Sequence, residues 1–158
     1  MVKEYLISTC KDLQEFSDPA EVHKIRGRFL HLTSILERIM KDYCPDIGRK
    51  ETYGGCVDKF VKKLKKDSLH DSSGFDEFVE ALKKINPTRS EWAHGIVYYE
   101  KRFDEFDENP NNFIESSKKE KTSIRPPYFD DLNKCFETVI SWLKKNGLWK
   151  IKGYHITD

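Results

Sequence analysis

The sequence predicts an all-α protein folded as an antiparallel helical bundle. Two observations carry that expectation: apolar residues recur at helical spacing along most of the chain, and helix start and stop signals separate those stretches. No internal repeat is visible. The 158 residues, 37% of them hydrophobic, suit one compact core, so a single domain is expected over 1–158.

The elements follow in order. Val2, Leu6, Thr9, Leu13 and Phe16 make an amphipathic first helix ending near Ser17. "SDPAE" restarts the chain, with Asp18 as N-cap, Pro19 at the first helical position and Glu21 as the capping-box acid. The stripe Ile25, Phe29, Leu32, Leu36, Ile39 and Tyr43 then runs unbroken to "YCPDIG" and marks the longest helix, a candidate for the central core element. A third helix spans Tyr53 to Lys66, with Val57, Phe60, Val61 and Leu64 on one side and Lys59, Lys62, Lys63 and Lys66 on the other. After polar "DSLHDSSG", the segment "FDEFVEALKKI" reads as a fourth helix with its acids early and lysines late, as the helix dipole favours.

The stretch "NPTRSEWAHGIVYY" (86–99) reads as a fresh helix start. "TRSE" is a capping box, with Thr88 as N-cap, Glu91 reaching back, Arg89 at the first helical position and Pro87 before it. "FDEFDENPNNFIESSKKEKTSIRPP" then shows no sustained period, so 103–126 is expected as a flexible insertion forming a long surface excursion. The last helix begins near Pro127, packs through Phe129, Leu132, Phe136, Val139, Ile140 and Leu143, and stops at "KNG". The tail "LWKIKGYHI" is short enough to be extended.

Composition excludes some functions and leaves others open. The 28 basic and 27 acidic residues nearly cancel, so net charge names no partner and nucleic-acid affinity has to come from local patches. Cys10, Cys44, Cys56 and Cys135 form no CxxC pair and have no histidine at ligand spacing, so neither a metal nor another cofactor is expected. The charged N-terminus lacks the apolar core of a secretion signal, and no segment reaches the ~20 apolar residues of a membrane span. A cytoplasmic protein with reduced thiols and no membrane partner is expected.

Arg89 and His94 are the candidate catalytic pair. At a helix start, free N–H groups and the positive dipole end favour a phosphate beside Arg89. Arginine adds a bidentate fork, and histidine moves protons near neutral pH. In a continuous helix the two residues would stand about 140° apart and share no face. Arg26 and His31 repeat the spacing inside the second helix, flanking opposite edges of its stripe, with no catalytic role expected. On spacing alone, Arg89 and His94 also read as an ordinary capped helix start.

"RSEWAHG", in the penultimate helical region of an all-helical chain, resembles the R-x4-6-H signature of HEPN domains, which often reads RNxxAHG. The "FLHLTSILERIMKDY" helix, the helix before the motif and the closing "FDDLNKCFETVISWLKK" helix match the usual layout. The resemblance implies a HEPN-like four-helix core, here with an extra helix and the excursion. It implies a metal-independent endoribonuclease that acts as a homodimer, with two motifs facing each other across the interface. Such proteins are commonly toxins or antiviral defence effectors, so a cognate antitoxin or sensor is an expected partner beside RNA.

Arg89 and His94 match the signature residues, while Ser90 stands where active members usually carry asparagine or another polar residue. Ile96 stands where some toxin members carry a tyrosine. Ser90, Glu91 and Trp92 are candidate supporting residues, with Trp92 either stacking on a base or buried at an interface. Lys59, Lys62, Lys63 and Lys66 are candidate RNA contacts through counterion release, or the solvated face of an amphipathic helix. The alternative to the enzyme is a non-catalytic helical module that binds RNA or a protein.

Overall fold

The computed structural model describes the backbone of residues 19–94, 96–100, 111–116, 119–124 and 126–156, and side chains over 26–93 and 130–156. The helix expected over residues 2–17 lies outside the described residues. Four helices form the bundle: α1 (Pro19–Tyr43), α2 (Tyr53–Lys66), α3 (Phe75–His94) and α4 (Pro126–Lys145). The expected all-α bundle is present.

α1 begins at Pro19, where the capping box put it, and its 25 residues make it the longest described helix. Thr52 caps α2, its hydroxyl accepting from the Gly55 N–H at 3.1 Å. A 3-10 turn, Leu69–Asp71, links α2 to α3. α3 and α4 pack most extensively, and α1 contacts both α2 and α3.

The core is rich in aromatic rings. Phe78 stacks on Trp142 with centroids 4.1 Å apart and an 18° tilt, and Phe29 meets Phe136 edge-on at 5.6 Å. Phe60, Phe78 and Phe136 are fully buried. Burying such side chains is worth roughly 1.5–3 kcal/mol each. The Tyr53 hydroxyl, also buried, donates to the Leu82 carbonyl at 3.2 Å and joins α2 to α3.

The first correction to the sequence reading concerns the motif helix. No new helix starts at Thr88, because α3 runs through Pro87 to His94. Pro87 gives up one backbone hydrogen bond and crowds the carbonyl four residues earlier. The helix continues because Phe78, Leu82, Ile85 and Trp92 keep one buried stripe across the proline, which itself is exposed.

The second correction concerns the segment after the motif. Ile96–Glu100 (β1), Asn111–Ser116 (β2) and Lys119–Ile124 (β3) form an antiparallel meander of order β1-β2-β3. Tyr98 pairs with Phe113, and Phe113 with Ser123. Two of these strands fall inside 103–126, so that stretch is not simply an unstructured excursion. Pro126 opens α4, and the remaining residues of the stretch lie outside the described ones. β2 contacts α3, β1 contacts α1 and β3 contacts α4.

The C-terminal tail is tied back to α1. The Lys152 N–H donates to Asp42 Oδ2 at 2.8 Å, and Ile151 bridges to Tyr154. Among the described residues no helix is long and apolar enough to cross a membrane.

Candidate functional site

The motif occupies the last turns of α3, facing α1. The two helices run antiparallel there, because rising numbers on α1 meet falling numbers on α3. Arg26 donates to the Ala93 carbonyl at 3.3 Å, Phe29 meets Trp92 with centroids 5.9 Å apart, and Glu37 Oε1 lies 3.0 Å from Arg89 Nη2. On α1, positions 26 and 37 differ by eleven residues and share one face, while on α3 positions 89 and 93 differ by four and also share a face. An apolar contact is thereby bracketed by a polar clamp on either side.

Arg89 is not at a helix N-terminus. It sits five residues before the end of a 20-residue helix, where the backbone offers neither free N–H groups nor a positive dipole end. The phosphate cradle expected from a capping box is therefore absent at this position. Its guanidinium is held instead by Glu37, with side chains 32% and 17% exposed. The 3.0 Å approach is an ion pair without hydrogen-bond alignment: Glu37 Oε1 and Arg89 Nε are both shut from solvent with no hydrogen-bond partner. Leaving such atoms unsatisfied is costly, so the pair is poorly optimised as a purely structural bridge.

Lys41 adds a second cation 3.9 Å from the other Glu37 oxygen. Tyr53 lies in the same field: burial pushes its hydroxyl well above the ordinary tyrosine range, Glu37 adds to that rise and Arg89 opposes it. Asn86 completes the surroundings, its Nδ2 packing at 3.0 Å from where a Cβ on Gly54 would stand. Glycine at 54 lets the start of α2 come close to α3.

Each predicted residue can now be placed. His94 is the last residue of α3, and its side chain lies outside the described ones, as do those of Tyr98 and Tyr99. Arg89 and His94 share one continuous helix, on which backbone positions five apart are turned about 140° from each other. Ser90 is exposed. Glu91 is buried at 3% exposure and Trp92 fully buried, so Trp92 is a core residue, not a base-stacking platform. Ile96 belongs to β1.

The lysine stripe on α2 is partly neutralised. Lys59 pairs with Glu51. Lys63 pairs with Asp67 at 2.8 Å and lies over the Tyr43 ring at 5.5 Å. Lys62 and Lys66 are exposed, and so is Lys65, which the sequence reading left out. α2 begins beside Arg89, at Tyr53, so Lys66 stands about 20 Å further along the helix axis. The stripe leads away from the motif.

Sequence reasoning missed Glu37 and did not foresee that Arg26 lies against the motif. Arg26 is half-buried against the motif turn, whereas His31 is exposed as its edge position implied. The cysteines offer no nucleophile among the described residues: burial, as the largest cause, raises the pKa of Cys44, Cys56 and Cys135, and a thiol so shifted is a poor thiolate source. No group of three potential metal ligands occurs among the described residues. One groove of roughly 420 Å³ lies between α3 and α4, lined by Gly74, Glu77, Glu137 and Trp142, and another of roughly 310 Å³ lies under the tail at Ile39 and Leu148. Neither touches Arg89. No protein-family model matches this chain, and no curated protein or solved structure matches it significantly.

Proposed function

We propose that this chain is a metal-independent endoribonuclease of HEPN type that works as a homodimer in the cytoplasm, as a toxin or antiviral defence effector. The reading rests on the "RSEWAHG" resemblance within a helical bundle. One observation favours it over a plain packing role: Arg89 is anchored by Glu37 yet its side chain is a third exposed. A guanidinium tethered at one nitrogen and partly exposed is suited to take phosphate oxygens through the exposed part of its fork.

In this reading the ribose 2′-oxygen attacks the adjacent phosphorus as the bond to the 5′-oxygen breaks. Arg89 offsets the charge on the phosphoryl oxygens, and His94 serves in proton transfer, taking the 2′-hydroxyl proton or supplying one to the leaving 5′-oxygen. The products are a 2′,3′-cyclic phosphate and a 5′-hydroxyl. Because Arg89 and His94 diverge on one helix, the arginine of one protomer works with the histidine of the other. A cognate antitoxin or sensor would restrain the site.

The test is incubation of the purified chain with a broad RNA pool in EDTA. Cleavage to cyclic phosphate ends is expected, with no cut where the sugar is 2′-deoxy and loss of activity in Arg89→Ala and His94→Ala. A magnesium requirement would overturn the mechanism.

A second reading is a non-catalytic helical module that binds RNA or a protein partner. The Glu37–Arg89 ion pair favours it, because an arginine already engaged by a carboxylate needs no substrate to account for it. That reading expects no cleavage, and RNA or partner binding indifferent to His94→Ala.

A further inference from the structure

We infer that Arg26 is a positioning residue for the motif: by donating to the Ala93 carbonyl it fixes the last turn of α3 and, with it, the backbone position of His94. The catalytic part of this inference rests on the ribonuclease reading; the structural part does not.

The last carbonyls of a helix have no N–H four residues ahead to accept from. For Ala93 that partner would be Val97, which belongs to β1 and pairs with Ile114. Arg26 Nη2 supplies a donor to this carbonyl instead, and its charge complements the negative end of the α3 dipole. His94 is the next residue along the chain and the last of the helix, so the orientation of that turn sets where His94 begins.

Reach makes the contact specific to a long side chain. Arg26 and Glu37 are about 16 Å apart along α1, whereas the α3 residues they hold, Ala93 and Arg89, are only about 6 Å apart along α3. The side chains at 26, 37 and 89 must span the difference. Phe29 and Trp92, packed between the two clamps, keep the helices at a separation where arginine bridges the gap. Shortening position 26 removes the contact without opening the core, because Arg26 itself is only half-buried.

The clamp at Glu37 and the clamp at Arg26 then divide the work. Glu37 holds the side chain of Arg89, while Arg26 holds main chain beside His94. Each motif residue is thus fixed from the same face of α1, by a partner that carries no part in the proton transfer.

The experiment uses the full chain and two readouts. Imidazole NMR resonances of His94 and amide exchange over residues 91–94 are compared in wild type, Arg26→Ala, Arg26→Lys and Arg38→Ala. Arg38 is an exposed α1 arginine paired with Asp42 and removes the same charge elsewhere. Arg26→Ala should shift the His94 signals and speed exchange of those amides about tenfold or more, Arg26→Lys should recover part of both, and Arg38→Ala should change neither. In RNA cleavage, Arg26→Ala should lower kcat by roughly tenfold to a hundredfold at nearly constant KM, with partial rescue by lysine. Should Arg26→Ala fail to fold, Arg26→Gln takes its place, keeping a polar side chain that loses the charge and is too short to reach the Ala93 carbonyl. Wild-type chain that cuts no RNA would remove the ribonuclease reading and leave the NMR and exchange data to decide on Arg26. His94 signals and exchange in Arg26→Ala identical to wild type would overturn the inference, whatever the cleavage result.

Discussion

The two ends of the α3 helix are held in different ways. At its start, Phe75, Phe78 and Trp142 form a run of touching rings, with Phe78 and Trp142 stacked at 4.1 Å. At its end, the contact between Phe29 and the buried ring of Trp92 is flanked by Arg26 on a carbonyl and Glu37 on Arg89. The first end is held by burial, which is large and indifferent to orientation. The second adds polar contacts, which are weaker but directional, to the burial of Trp92. Both ends should therefore contribute stability through buried rings, with positional control added at the end of α3.

The largest effect expected from this contrast is at Trp142. Trp142→Ala empties a buried aromatic site and should cost about 3–5 kcal/mol, read as a lower denaturant midpoint. Trp142→Phe should cost much less than Trp142→Ala. Its Nε1 is buried with no hydrogen-bond partner, so removing that N–H relieves a penalty while a ring is kept. If alanine and phenylalanine prove equally damaging, the start of α3 is not held by ring burial.

Glu37 comes next. Glu37→Gln removes the charge facing Arg89 and should cost about 1–2 kcal/mol, less than breaking a fully buried pair because both side chains are partly exposed. Thermal unfolding measures it. In the ribonuclease reading the same substitution lowers cleavage more than stability accounts for, since Arg89 loses its anchor. A loss of stability matching that of Trp142→Ala would erase the contrast between the two ends.

A smaller, pH-dependent effect belongs to the contact between the end of α1 and the end of α2. Tyr43 donates to Asp67 at 2.6 Å, and burial, helped by this bond, pushes its hydroxyl up to about 12. A raised pKa means that the folded protein keeps a proton which the unfolded chain releases near pH 10. Stability from this group is therefore complete below about pH 10 and is lost as pH rises toward about 12. Tyr43→Phe should flatten part of that alkaline decline, the rest being shared among other groups with raised pKa values, Tyr53 and the thiols of Cys44, Cys56 and Cys135 among them. Denaturant midpoints measured across this range check it, and an unchanged slope in Tyr43→Phe would contradict the assignment.

Much of the bundle was legible because helical periodicity and burial coincide. Phe29, Leu36 and Ile39 on α1, and Phe136, Val139 and Leu143 on α4, are all buried core residues. The motif region was misread for a physical reason. Pro87 and "TRSE" carry the local signals of a helix start, but Ile85 and Trp92 lie seven residues apart on one buried stripe, and their burial outweighs the local preference. β2 and β3 were missed because "NNFIES" and "KEKTSI" are short and mostly polar, and their pairing depends on β1 and on each other. The clamp residues were hidden for another reason. Nothing near Glu37 or Arg26 in the sequence marks a partner more than fifty residues away, and only the antiparallel approach of α1 to α3 brings them to the motif.

The central claim is that Arg89 and His94 complete a site between two protomers, since on one helix they diverge. Mixing two inactive variants tests it most directly. Arg89→Ala supplies His94 and His94→Ala supplies Arg89, so a heterodimer holds one site with both residues if the site is shared between chains. Equal mixing under conditions that exchange subunits should restore about a quarter of wild-type RNA cleavage, one intact site of two in about half of the dimers. A mixture as inactive as its two components, with the wild type active and subunit exchange demonstrated, would contradict a shared site.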